Sequence, residues 1–268
     1  MNRQTLMENP LSPSPLTRPI ELYVFIDPLC EDCWSLQPLL RKLQVEYDRY
    51  FTLRIALRTS LPKMNLQCTN NHDNASDCGK AHPAFPSIAV KAAEFQGKRA
   101  GFRFLSKMLE YSFLKSRDVS SFPVLVEIAQ KLNLDVDEFT RDFSSQNVLR
   151  SLQVDLYMAQ EMEVDLAPTF VFFNECIEDE GLKVSGLYAY EIYEQILEEL
   201  IGETLIPDVP PTLEDLFRRF DTLATKEIAD IYSISEKSAE RELKKRLLQQ
   251  KVERIPFQDV TLWRKKSM

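Results

Sequence analysis

The chain has 268 residues, 44% of them hydrophobic and 28% charged, a composition that excludes a disordered or fibrous protein and fits one large domain or two smaller ones. A formal net charge of −8 opposes general binding to nucleic acid or to an anionic membrane surface. Residues 212–268 carry 13 Lys/Arg against 10 Asp/Glu, and the rest carry 20 against 31, so a basic tail follows an acidic body. That asymmetry predicts two units with different partners.

Residues 1–17 hold Asn9, Pro10, Pro13 and Pro15 and no apolar run, so they cannot serve as the hydrophobic segment of a signal peptide. They read as a disordered lead-in to a cytoplasmic chain, and no later segment approaches a membrane span. The five cysteines agree: an odd count with one close pair fits reduced thiols better than a secreted disulfide framework.

Pro19 to Ile26 is β-branched and aromatic and reads as a buried strand. It runs through Asp27-Pro28-Leu29 into a helix starting at Cys30, on which Leu36, Leu39, Leu40 and Leu43 recur at helical spacing and Pro38 predicts a kink. Phe51 to Leu57 alternates and reads as a second strand, making the opening β-α-β. A polar stretch, 67–79, precedes a helical block over about 82–162, with breaks expected at Gly97–Gly101, Ser116–Asp118 and Asn133–Asp135. Pro168 to Asn174 is a third strand, Leu182 to Gly186 a short fourth, and Tyr188 to Ile201 a closing helix.

Pro207-Asp208-Val209-Pro210-Pro211 can continue neither a helix nor a central strand, so the domain boundary falls there. The expected organisation is lead-in 1–17, an α/β domain 18–206, linker 207–211 and a small domain 212–268. In that tail Thr212 to Leu223 reads as one helix, and Thr225 to Tyr232 as a second with Thr225 as N-cap. Ser235 caps a third running to Lys251, with apolar positions Ala239, Leu243, Leu247 and Leu248. Residues 252–257 and 260–264 suggest a hairpin. The arrangement resembles a winged helix.

Cys30-Glu31-Asp32-Cys33 at a helix start has a chemical purpose. The helix N-terminus offers partial positive charge and free N–H groups to a thiolate, and the spacing lets the second sulfur close a disulfide. Glu31 and Asp32 oppose this with negative charge, predicting a slower-reacting Cys30 than in a dedicated oxidant. Redox-capable thiols are favoured over a zinc half-site or two inert structural cysteines. Cys68, His72, Cys78 and His82 share one polar loop and are weak candidate metal ligands, fitting no common zinc spacing. Cys176, within an acidic run, reads as a surface thiol. Lys237, Arg241, Lys244, Lys245, Arg246 and Lys251 would be the nucleic-acid contacts of the third tail helix, but interleaved Glu236, Glu240 and Glu242 favour protein contact instead.

Asp27-Pro28-Leu29-Cys30-x-x-Cys33-Trp34, then a helical insert, then Ala167-Pro168-Thr169-Phe170 and Val184-Ser185-Gly186, resembles the DsbA-type branch of the thioredoxin superfamily over about residues 19–202. The resemblance implies a cis peptide before Pro168, opposite Cys30, with the backbone of Ala167 able to pair with a bound chain. Joined to a winged-helix-like tail, the whole chain resembles the YjbH/SpxH adaptor family. That resemblance implies an adaptor rather than an enzyme. Such an adaptor binds the redox-sensing regulator Spx, presents it to the ClpXP protease and requires no cofactor. Contact residues are then expected at Asp27, Leu29, Trp34, Ala167 and Thr169, around Cys30, Cys33 and Pro168. Members of that family can carry a His-rich N-terminal segment linked to zinc; residues 1–17 here contain no His. The rival readings are a cytoplasmic thiol–disulfide oxidoreductase using Cys30 and Cys33, and a DNA-binding redox regulator.

Overall fold

The computed structural model describes residues 20–59, 81–174, 181–257 and 260–266. Four strands form one sheet in the order β2-β1-β3-β4: β1 (Ile20–Ile26), β2 (Phe51–Leu57), β3 (Thr169–Phe173) and β4 (Leu182–Ser185). β1 runs parallel to β2, from Ile20 opposite Phe51 to Ile26 opposite Leu57, and antiparallel to β3, with Val24 opposite Phe170. The period of two divides the apolar residues between two layers. Leu22, Val24, Ile26 and Phe170 join one core with Leu40 and Leu43, and Phe25, Ala56 and Val171 join a second with Ala159.

The β1–β2 crossover is helical, in two pieces. α1 (Glu31–Ser35) ends at Leu36, and α2 (Gln37–Tyr47) begins with Pro38 in its first turn, so the expected kink is a junction between two helices. Leu36 N–H donates to the Asp32 carbonyl at 2.9 Å, which keeps the junction hydrogen-bonded. The helical block comprises α3 (Phe85–Phe95), α4 (Lys98–Leu109), a π-helical turn (Glu110–Leu114), α5 (Phe122–Lys131), α6 (Val136–Phe143) and α7 (Gln146–Glu161). α8 (Tyr190–Ile201) closes the unit. The break expected over Gly97–Gly101 is confined to Gln96 and Gly97. Gly101 lies inside α4, where a Cβ would come within 2.9 Å of the Glu94 Cβ and 3.0 Å of its Cα, so glycine permits close packing of α3 on α4.

The C-terminal unit contains α9 (Leu213–Arg219), β5 (Thr222–Ala224), α10 (Thr225–Ile231), α11 (Glu236–Leu248), β6 (Val252–Phe257) and β7 (Val260–Lys265), its strands in the order β5-β7-β6. Three expectations are corrected here. The helix expected to reach Leu223 stops at Arg219, because Thr222–Ala224 pairs with β7 as a strand. Thr225 is the first helical residue rather than the cap; Ala224 holds the cap position, and the Thr225 hydroxyl accepts the Trp263 indole N–H at 2.9 Å. On α11, Ala239 and Leu243 are buried, but the helix ends at Leu248, which is 86% exposed, so the apolar face is shorter than expected. Ser235 caps α11 as anticipated, accepting from Ser238 N–H at 3.2 Å.

The stretch between the two units is tied down despite its prolines. Asp208 N–H donates to the Glu46 carbonyl at 2.8 Å, and the Arg49 guanidinium lies 2.9 Å from the Asp208 carboxylate. Beyond it, buried charges join the units. The Arg41 guanidinium on α2 meets Glu227 on α10 at 2.8 Å and the Thr222 carbonyl at 3.0 Å. Glu110 sits 2.8 Å from Lys107, 3.0 Å from Lys115, and accepts from the Thr222 hydroxyl at 3.0 Å.

Burial alone would raise the Glu110 carboxyl, but the Lys107 and Lys115 ammonium groups outweigh it and hold the group below its usual 4.5. A depressed carboxyl contributes stability that is present above the unfolded value and lost as pH falls through the folded one. Acid denaturation should therefore steepen below about pH 4.5, the unperturbed carboxyl value. Glu110→Gln should flatten that limb in a pH series of urea melts, and an unchanged limb would assign the acid sensitivity elsewhere.

Candidate functional site

The expected site residues converge where β1 ends and β3 begins. Cys30 caps α1 with extended backbone (φ −92°, ψ 127°), and its N–H donates to the Asp27 carbonyl at 3.1 Å. The Asp27 carboxylate, almost fully buried, accepts from Leu29 N–H at 2.9 Å. The loop is thus held by one acidic residue at both its backbone and its side chain. Ala167–Pro168 is a cis peptide, and the Cys30 thiol donates to the Ala167 carbonyl at 3.3 Å across 137 residues of sequence. Thr169 is buried, its hydroxyl bridging the Leu166 carbonyl at 2.8 Å and the Ser185 hydroxyl at 3.1 Å. Gly186 N–H donates to the Pro168 carbonyl at 2.8 Å.

Both thiols are free. Cys30 is half-buried, whereas Cys33 is fully buried and burial pushes its thiol well above the ordinary range. The pair is thus asymmetric, with one reachable sulfur and one concealed behind it. That arrangement can support attack by Cys30 and resolution by Cys33. Glu31 and Asp32 are exposed on the first turn, where water and salt screen their charge. Trp34 is half-buried and packs on the main core, leaving only part of its ring available to a partner.

Sequence reasoning named Leu29 as a contact residue but missed the other exposed apolar side chains near it. Leu29 is 44% exposed, Leu166 48%, Leu187 37% and Tyr188 54%. Leu166 precedes the cis peptide by one residue, and Leu187 and Tyr188 directly follow Gly186, which bonds Pro168. Exposed hydrocarbon thus adjoins each of the chain segments that meet at the Cys30–Ala167 contact, a feature of protein-binding surfaces.

Of the weak metal candidates, Cys68, His72 and Cys78 lie outside the described residues, as does Cys176. His82 is described: its Nδ1 accepts from Ala84 N–H at 3.1 Å, and its ring lies against Phe85 with centroids 5.4 Å apart. It helps to start α3. Among the described residues no group of three or more His, Cys, Asp or Glu side chains is placed to hold a metal ion. Likewise no described helix is long and apolar enough to cross a membrane.

A Cys-x-x-Cys helix start facing a cis-proline strand, with a helical block inserted between the halves, defines a thioredoxin-like protein of the DsbA type. A family model described as Thioredoxin matches residues 23–195. The fold is shared with the oxidoreductase DsbA from Xylella fastidiosa, at a TM-score of 0.52 and 15% identity over 70% of this chain and 90% of that one. It is shared equally with Wolbachia pipientis alpha-DsbA1, at a TM-score of 0.54 and 13% identity over 69% and 87%. Closer likeness in sequence reaches through both units. The ClpXP adapter protein SpxH of Shouchella clausii is 40% identical, covering 93% of this chain and 90% of that protein. Its counterpart in Bacillus subtilis is 38% identical over 93% and 90%, and that of Staphylococcus saprophyticus 38% over 95% and 93%. The chain belongs to this family of adapter proteins.

Proposed function

We propose that the chain is a cytoplasmic adaptor that binds the regulator Spx and promotes its degradation by ClpXP. The observation that carries this reading is full-length likeness to proteins named as ClpXP adapters, spanning over 90% of the chain and therefore both units. Physically an adaptor performs no bond chemistry. It supplies binding energy to a state in which the client's tail is accessible to the protease, shifting a population. The apolar rim around Cys30 and Pro168 supports docking on that face, with Asp27, Leu29, Trp34, Ala167 and Thr169 at or beneath it. Cys30 and Cys33 are then a candidate redox modulator of docking.

The C-terminal unit reads as a winged-helix-like domain, given its helix, strand, two helices and hairpin with β7 between β5 and β6. Its use as a protein-contact module is favoured by the acidic residues interleaved with its basic ones. Lys244 lies 2.8 Å from Glu240, and Arg246 is bound by Glu242 and Glu214, which takes two of the six candidate cations there away from phosphates.

In a reconstituted ClpXP assay, the chain with Cys30→Ser and Cys33→Ser should still accelerate Spx degradation over the rate without adaptor. Loss of all acceleration in that variant, with binding intact, would make thiol chemistry the function. The free thiol pair, with Cys30 reachable and Cys33 buried behind it, favours residual thiol–disulfide exchange as the second reading. That reading predicts insulin reduction abolished by Cys30→Ser.

A further inference from the structure

A cleft of about 840 Å³ lies away from the cysteines. It lies along the outer edge of β2, walled by α3 and α4 on one side and by α9 of the C-terminal unit on the other. Its floor is the strand itself. Leu57 N–H points outward, to the Asp155 carboxylate at 2.8 Å, while Arg58 N–H points inward, to the Ile26 carbonyl at 3.0 Å. In a parallel pair each residue sends both its backbone groups to one side, alternating along the strand. Leu53 and Ile55 therefore turn their N–H and C=O groups into the cleft. Their side chains are half-exposed there. Asp155, held by Lys91 at 2.8 Å, caps the upper end of the edge, so pairing is open below Leu57 and closed at it.

Charge identifies the occupant. Seven Lys/Arg and four Asp/Glu side chains line the cleft, although the chain as a whole is at −8. Arg218 and Arg219 are neutralised locally by Asp215 and Asp48. Lys98 and Arg99 are exposed, and no carboxylate among the described residues lies within ion-pair distance of either; Arg99 only donates to the Arg218 carbonyl at 3.1 Å. We infer that this cleft holds an extended acidic segment of a protein partner, added as a strand to the edge of β2 with its carboxylates toward Lys98 and Arg99. Main-chain pairing would give the affinity, and the cations the choice of sequence. The inference deepens the adaptor reading, which supplies a reason to hold an extended client segment. Its test needs neither client nor protease, so the two can fail separately.

The probe is a fluorescein-labelled octapeptide of alternating Glu and Val, titrated into the full chain and followed by anisotropy. Replacing its Glu residues by Lys should weaken binding by roughly tenfold or more, as should Lys98→Glu with Arg99→Glu in the protein. N-methylation of alternate amides should abolish binding. Ile55→Pro should do the same, because it removes an outward donor at an edge position where proline leaves the β1 ladder intact. Independently of any variant, amide exchange at Leu53 and Ile55 should slow when the peptide is added, while Thr52 and Arg54 are already protected. Three results overturn the inference: no binding at any soluble concentration, equal binding of the Lys or N-methylated peptide, or displacement by a single-stranded oligonucleotide that binds more tightly through Lys98 and Arg99. The last would make the cleft a nucleic-acid groove.

Discussion

Replacing Glu227 by leucine is expected to destabilise the protein by about 3–5 kcal/mol, because it strands the Arg41 guanidinium in the interior. Both side chains are less than 10% exposed, and Arg41 also spends a hydrogen bond on the Thr222 carbonyl. The Arg41 Nε has no hydrogen-bond partner among the described residues, so the site has no spare acceptor to take over from the lost carboxylate. Glu227 does double duty, its other oxygen accepting from Ala224 N–H at 2.5 Å and fastening the start of α10. The double variant Arg41→Met, Glu227→Leu should recover most of the loss, since an apolar pair of similar volume requires no desolvated charge. Urea denaturation of the three proteins measures this. A single-variant loss below about 1 kcal/mol, the range of a solvated surface pair, would mean that the two units are not locked by this contact.

Placing a charge on the apolar rim should weaken binding of the proposed client without removing the fold. Leu166→Asp combined with Tyr188→Asp exchanges two exposed apolar side chains beside the Cys30–Ala167 contact for carboxylates that stay solvated in the free protein. Desolvating them against a partner should cost about 2 kcal/mol or more, roughly thirtyfold in Kd. Melting temperature should hardly move, because both positions are about half exposed. Calorimetric titration with Spx reads the effect, and Trp34→Ala is the companion variant on the same face. Unchanged affinity in both would move the docking face away from the cysteines, and the β2 cleft becomes the next surface to probe. An effect confined to one of them would place the contact on that side of Cys30.

The α/β order, the Cys30–Cys33 helix start and the Pro168 strand were legible because each is a local signal. Leu22, Val24 and Ile26 alternate along β1, Leu36, Leu40 and Leu43 repeat along the crossover, and a proline heads an apolar run. The tail was read less well where local preference competes with distant pairing. Thr222–Ala224 lies next to a helix and could extend it, but β7, some forty residues later, draws it into a sheet. Thr225 looks like a cap until Trp263 takes its hydroxyl.

Composition, motif and period thus determined the kind of fold and located its thiols from residues close together in the chain. Three things waited for the tertiary structure: most of the apolar rim, the Arg41–Glu227 lock and the open edge of β2. Each depends on groups brought together across large sequence separations, 137 residues for Cys30 and Ala167 and 186 for Arg41 and Glu227. A side chain's exposure or charge partner is a property of its neighbours in space, and no local pattern records who those neighbours are.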